Sequence, residues 1–200
     1  MGTQTGSAGK KGNVQRIPIS RTLETQRCVL RYPALEDVPR LLSAFRSPAF
    51  PEDLPLKQLT SREQVRQWIE GCQARWAEGQ GYTWTVEDRR DGTITGQVTL
   101  ARLPTAGIWA LAFWMHPDCW GEGYATEAAR RAIAFAFREL DAMRVWAAAA
   151  TWNAGSQRVL QKLGMAYLQD NPEGYRINDK AVPTKEYEIA CTGWEQHGRR

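Results

Sequence analysis

Apolar positions change their spacing several times along the chain, and each change predicts an element. Residues 27–32 read as a first strand. In 35–47, Val38, Leu41, Leu42 and Phe45 recur at helical spacing, and Pro39 is tolerated because it falls in the first turn. Pro48, Pro51 and Pro55 make 48–59 a loop. Ser61 with Gln64 forms a capping box ahead of a second helix, whose apolar face is Val65, Trp68, Ile69, Cys72 and Trp76. Tyr82, Trp84 and Val86 then alternate with Thr83, Thr85 and Glu87. Asp91-Gly92 signals a hairpin, and Ile94, Gly96, Val98 and Leu100 alternate with polar neighbours. Residues 108–115 are almost continuously apolar, which predicts a strand at the sheet centre, buried on both faces.

The middle of the chain reads strand, glycine loop, helix, strand. The helix covers 124–140, with Ala125, Ala129, Ala132, Ile133, Ala136 and Leu140 inward, and the next strand covers 143–151. A short helix at 156–163 stops at Gly164. Two last strands, 165–169 and 185–191, flank a polar loop at 170–184. These elements make one α/β (α+β) domain at 22–194, between tails at 1–21 and 195–200.

Composition narrows the class. The chain has 200 residues, 42% hydrophobic and 24% charged, which fits a globular protein with one core. No apolar run reaches the roughly 18 to 20 residues of a membrane span. Residues 1–20 lack the apolar stretch of a secretory signal, and Gly6 stands where a myristoylation signal needs Ser or Thr. The expectation is a cytoplasmic protein with reduced thiols and no membrane partner. Cys28, Cys72, Cys119 and Cys191 show no CxxC spacing, and only His116 and His197 accompany them, so no metal site is expected. The net charge of +4 belongs to residues 1–21, which hold Lys10, Lys11, Arg16 and Arg21 and no acid. Elsewhere 22 basic residues balance 22 acidic ones, so no DNA-binding face is expected. The tail reads as a solvated, disordered extension; its other reading is a contact with RNA or the ribosome.

Chemistry concentrates in the loop from His116 to Gly123. Small residues at Gly121, Gly123 and Ala125 let a ligand approach the backbone, and the free N–H groups of a helix start suit a phosphate. A plain tight turn explains the same glycines. A P-loop is excluded because Tyr124-Ala125-Thr126 replaces Lys-Ser/Thr. A dinucleotide fingerprint lacks its third glycine, and Ala147-Ala148-Ala149-Ala150-Thr151 ends the next strand without an acid.

The segment WMHPDCWGEGYATEA (114–128) resembles the acetyl-CoA-binding motif of the GNAT family of N-acetyltransferases. It is most similar to the branch of ribosomal-protein N-terminal acetyltransferases, in which Trp is common at the place of Trp120. NAGSQRVLQKLGM (153–165), TLETQRCVLRYPALEDVPRLL and GQVTL (96–100) resemble other parts of the same branch. The resemblance implies a mixed, mostly antiparallel sheet of six or seven strands with splayed central strands and about four helices. It implies that the main chain of Met115 and His116 pairs with the pantetheine arm of acetyl-CoA. The loop of Trp120, Gly121, Glu122, Gly123, Tyr124, Ala125 and Thr126 would hold the pyrophosphate. Asn153 would bond the pantetheine or a water, and Ser156 would protonate the departing thiolate; a helix cap is the other reading of Ser156. His116 is the candidate base, because Ala110 stands where many relatives carry Glu; a water chain or an already neutral amine is the alternative. Cys119 as an acyl carrier is disfavoured, since the family transfers directly. The acceptor would be a protein N-terminus or a small amine. An open groove between the first two helices and 170–184 would suit a peptide, and closure there a small molecule. A non-catalytic acyl-CoA sensor is the alternative function. A monomer and a homodimer both fit.

Overall fold

The computed structural model describes residues 17–197, with side chains to 194. After a two-residue strand β1 (Leu23–Glu24) come β2 (Cys28–Arg31), α1 (Val38–Arg46) and α2 (Arg62–Ala77). A meander of β3 (Gly81–Asp88), β4 (Ile94–Arg102) and β5 (Ile108–Met115) follows. Then α3 (Tyr124–Glu139), β6 (Arg144–Ala150), α4 (Ala154–Lys162), β7 (Ala166–Ile177), β8 (Lys180–Ala190) and α5 (Cys191–His197) complete the chain. One sheet of eight strands has the order β1-β2-β3-β4-β5-β6-β8-β7. Only β5 and β6 pair in parallel. The count exceeds the expected six or seven because β1 adds a short edge.

The two faces of the sheet differ chemically. Tyr82, Trp84, Val86, Val98, Leu100, Trp109, Leu111 and Met115 pack with α3, whose Ala128, Ala129, Ala132 and Ala136 let the helix lie close. On the other face α1 and α2 bury Leu41, Phe45, Val65 and Ile69 with Phe50 and Trp114. Beneath α2 runs a polar thread. Gln97 Oε1 accepts from the indoles of Trp68 (3.1 Å) and Trp114 (3.2 Å). Thr85 donates to the buried Asp37 (2.7 Å), which also takes Arg31 (2.6 Å) and the Ala34 amide (3.0 Å). The Ser61–Gln64 capping box forms as the sequence predicts.

Four expectations change. Residues 170–184 are not a loop: β7 and β8 form one long hairpin turned at Asn178 and Asp179, both at positive φ. β7 is the sheet's edge and exposed along most of its length, so no buried alternation marks it. β5 is central but not buried on both faces, because it pairs with β6 only through 108–110; beyond that Ala112 is exposed. The domain begins before 22: Ile17 is buried and its carbonyl accepts the Trp76 indole (2.8 Å). It also runs past 194, since α5 continues to His197. The tail read at 1–21 lies outside the described residues up to 16.

Gly96 carries the close approach of β4 to β5. A Cβ there would meet the Trp114 carbonyl oxygen at 2.1 Å and Met115 Cα at 2.8 Å. Backbone cannot yield as a flexible side chain can. Gly96→Ala should therefore destabilise the protein by roughly 1–3 kcal/mol. Urea unfolding checks this; an unchanged midpoint would show that β5 moves freely.

Candidate active site

The site grows from the parting of β5 and β6. His116 N–H donates to the Thr95 carbonyl (2.7 Å) and Ile108 O accepts from Leu103 N (3.1 Å), so even-numbered residues of β5 turn their main chain towards β4. Alternation then turns the main-chain groups of Leu111, Phe113 and Met115 towards β6. The last pair with β6, Ala110–Trp146, uses the Leu111 amide, so the Leu111 carbonyl and the main-chain groups of Phe113 and Met115 face a gap. Trp120 Nε1 occupies the Met115 carbonyl (2.8 Å), which leaves the Met115 N–H as that residue's group towards the gap.

A cavity of about 660 Å³ occupies this gap, within the range of small-molecule sites. The glycine loop and the start of α3 form one wall. Gly121 and Gly123 take φ of 83° and 84°, which side chains rarely adopt, and a Cβ on Gly121 would meet nothing within 4 Å. Gly123 caps α3 directly. The loop is fastened from outside. Arg27 binds Glu127 through its amide (2.8 Å) and Nε (2.7 Å), and gives Nη1 to the Glu122 carbonyl (2.9 Å). Tyr124 donates to Asp88, which Arg90 also grips (2.7 Å); that pairing holds the Asp88 carboxyl below the usual range. A second wall is β6, whose Ala147 to Ala150 leave room where larger residues would fill it, with the start of α4.

The structure brings together Met115, Trp120, Gly121, Gly123, Tyr124, Ala125, Thr126, Asn153 and Ser156 around this cavity. Glu122 is exposed and absent from the lining. Asn153, not Ser156, caps α4: its Oδ1 accepts the Ser156 amide (3.0 Å). Ser156 is thereby relieved of the capping role, and among the described residues its hydroxyl has no hydrogen-bond partner.

His116 does not reach the cavity. Its ring is buried against α1. The Ser43 hydroxyl gives its proton to the Arg40 carbonyl (2.7 Å) and so accepts from His116 Nε2 (3.1 Å), while Nδ1 accepts from the Asp118 amide (3.2 Å). The candidate base is thus a packing residue, and its amide is spent on β4. The carboxylates on neighbouring strands also point elsewhere: Glu87 pairs with Arg31, Glu186 with Asn171 and Gln169, Glu188 with Arg144. Among the described residues, no Asp, Glu or His lines the cavity. Burial pushes the Cys119 thiol up, away from a ready thiolate, which fits the disfavoured acyl-carrier reading.

Trp114, Trp120 and Trp152 line the cavity, whereas Trp109 is buried and stacks on Tyr82 (5.7 Å). Sequence reasoning missed Phe50, Leu54, Tyr175, Arg158 and Lys162, which also line it. The i, i+4 pair of cations on α4 is a signal that was available; Tyr175 carried none, because it sits in the hairpin read as loop.

Burial and the nearby Arg40 charge hold the His116 pKa below its ordinary 6.5. In an NMR titration its ring should titrate below 6.5, and stability should fall as pH drops from 6.5 towards the folded value, because the unfolded chain binds the proton first. A ring that titrates above 6.5 would place it in a different environment.

Comparison with known proteins agrees with this geometry. The family model described as acetyltransferase (GNAT) domain matches residues 27–166. A Bacillus subtilis protein named "Uncharacterized N-acetyltransferase YoaA" is 27% identical over 164 residues, 78% of this chain and 93% of that protein. The FsC-acetyl coenzyme A-N(2)-transacetylase of Aspergillus fumigatus is 31% identical over 114 residues, covering 53% of this chain and 47% of that protein. In fold, the chain resembles Mycobacterium smegmatis RimJ in complex with CoA-disulfide, with a TM-score of 0.75 and 17% identity over 90% of this chain and 96% of that one.

Proposed function

The chain belongs to the acetyltransferase (GNAT) family and is an acetyl-CoA-dependent acyltransferase; from that premise, we propose that it moves the acetyl group directly to a primary amine in the cavity between β5, β6 and the 48–59 loop. The observation that carries this reading is the edge of β5 beyond its last pair with β6, from the Leu111 carbonyl through Phe113 to the Met115 amide, with no strand opposite and beside the glycine loop. Buried main-chain groups need partners.

The residues fit the donor. The first N–H groups of α3, after the two glycines, form an anion site for the pyrophosphate, and the empty space beside Gly121 admits it. Arg158 and Lys162 on the cavity's α4 side supply charge for the remaining phosphate. Bound acetyl-CoA supplies an activated acetyl thioester. The Met115 N–H is placed to polarise its carbonyl, an oxyanion-hole role. Ser156 Oγ–H supplies the proton taken by the departing sulfur and regains one from the water that takes the amine's proton, and Asn153 fixes the start of α4 that carries it. The protein's largest contribution is alignment of amine and thioester.

With no carboxylate or imidazole lining the cavity among the described residues, the amine loses its proton to water or arrives neutral. The apolar walls assist by disfavouring its charged form. Tyr175 is no base either, since burial and the Asp53 charge push its hydroxyl up to about 12.

Two outcomes test this. Ser156→Ala should lower kcat by roughly 10- to 100-fold while leaving acetyl-CoA affinity within about threefold; an unchanged kcat would remove the proton-donor role. The pH midpoint of kcat/KM should move with the pKa of the amine supplied. A midpoint fixed near pH 6.5 for every amine would reveal a protein base. Absence of turnover with every amine, in protein that binds acetyl-CoA, would favour a non-catalytic sensor.

A further inference from the structure

The far end of the cavity is built differently from the phosphate end. Phe50, Leu54, Trp114, Trp152 and Tyr175 form its walls. Trp114 is held at a fixed tilt by Gln97 (3.2 Å) and packs on Phe45 (4.9 Å between ring centres) and Phe50 (6.0 Å). Among the described residues, the only charged side chains lining the cavity are Arg158 and Lys162, both cations on α4. Glu52 and Asp53, next to this wall in sequence, are exposed, and Glu52 already pairs with Lys57 (3.3 Å).

The mouth is bridged. The Tyr175 hydroxyl, on the β7–β8 hairpin, donates to the Asp53 carbonyl in the proline-rich loop (2.6 Å). This bond joins segments 122 residues apart. It ties the hairpin to the loop that carries Phe50 and Leu54, two residues of the cavity wall.

We infer that the acceptor is a small apolar monoamine, aromatic or aliphatic, with no second charge. This rests on the acetyl-transfer reading above. An aromatic wall contributes contact area and a low local dielectric, which favours a neutral amine and an apolar substituent. A polyamine would bring a second ammonium into a space that no carboxylate lines among the described residues, at a large desolvation cost.

The test uses the full chain and a panel of phenethylamine, hexylamine, spermidine and a neutral hexapeptide, with release of the CoA thiol as the measure of turnover. Phenethylamine and hexylamine should exceed the other two in kcat/KM by roughly 10- to 100-fold. Calorimetry with CoA-saturated protein should show phenethylamine binding and no spermidine binding. Preference for spermidine or the peptide would overturn the inference and leave acetyl transfer standing. So would acetyl-CoA binding accompanied by turnover of none of the four. If the folded protein fails to bind acetyl-CoA, the underlying reading falls and this inference with it.

Discussion

Everything at the site depends on β5 and β6 parting after three paired residues. A sheet that stayed closed would satisfy its own main chain and leave nothing for a ligand to bond. The split exposes one strand's hydrogen-bonding edge inside the protein, which is tolerable only where water or a ligand can meet it. Three local features keep it open. The Trp120 indole holds the Met115 carbonyl. The alanines of β6 cannot reach across. The start of α4 stands at the open end, fixed by the Asn153 cap. β6 then finds its other partner in β8 over its whole length, so the divergence does not cost the sheet its continuity.

The elements with a buried face were legible in the sequence, because burial imposes a period. α2 announced both its start, through Ser61 and Gln64, and its apolar stripe. The glycines at 121 and 123 pointed to a special backbone and take one. What escaped was structure without burial or with long-range partners. β7 is a solvent-facing edge, so no buried face imposes a period on its residues, and their polar character read as loop. Residues 17–21 look like tail until Trp76 is seen to need a carbonyl for its buried indole. The orientation of His116 was equally hidden: its neighbours Ser43 and Arg40 lie more than seventy residues away in the chain. An apolar run at 108–115 correctly located the sheet's centre, but periodicity does not show that a neighbouring strand leaves halfway along.

The polar thread beneath α2 has a consequence for the site that its distance conceals. Gln97 uses one carbonyl for two indoles, Trp68 in α2 and Trp114 in β5. It therefore ties the helix that covers the sheet to a wall of the cavity. Thr85, Asp37 and Arg31 continue the linkage to β2. Buried polar groups of this kind favour one arrangement over near alternatives, since a shifted register would leave each member unpaired.

Set beside the brace on the glycine loop, this gives the cavity two independently fixed ends. Arg27 bonds Glu127 and the Glu122 carbonyl from outside, so the loop's amides are held in place by the protein's own contacts. Gln97 holds the aromatic wall at the opposite end. Between them the β5 edge is stiff, because Gly96 lets β4 lie hard against it. For a transfer that passes through no covalent enzyme intermediate, rate depends on how narrowly amine and thioester are constrained before they react. With no carboxylate lining the cavity among the described residues, the proposed transfer is helped in two ways: the walls fix the two reactants' relative position, and their low dielectric disfavours the amine's charged form. Both follow from rigid, apolar walls, so the aromatic residues serve alignment and proton release together.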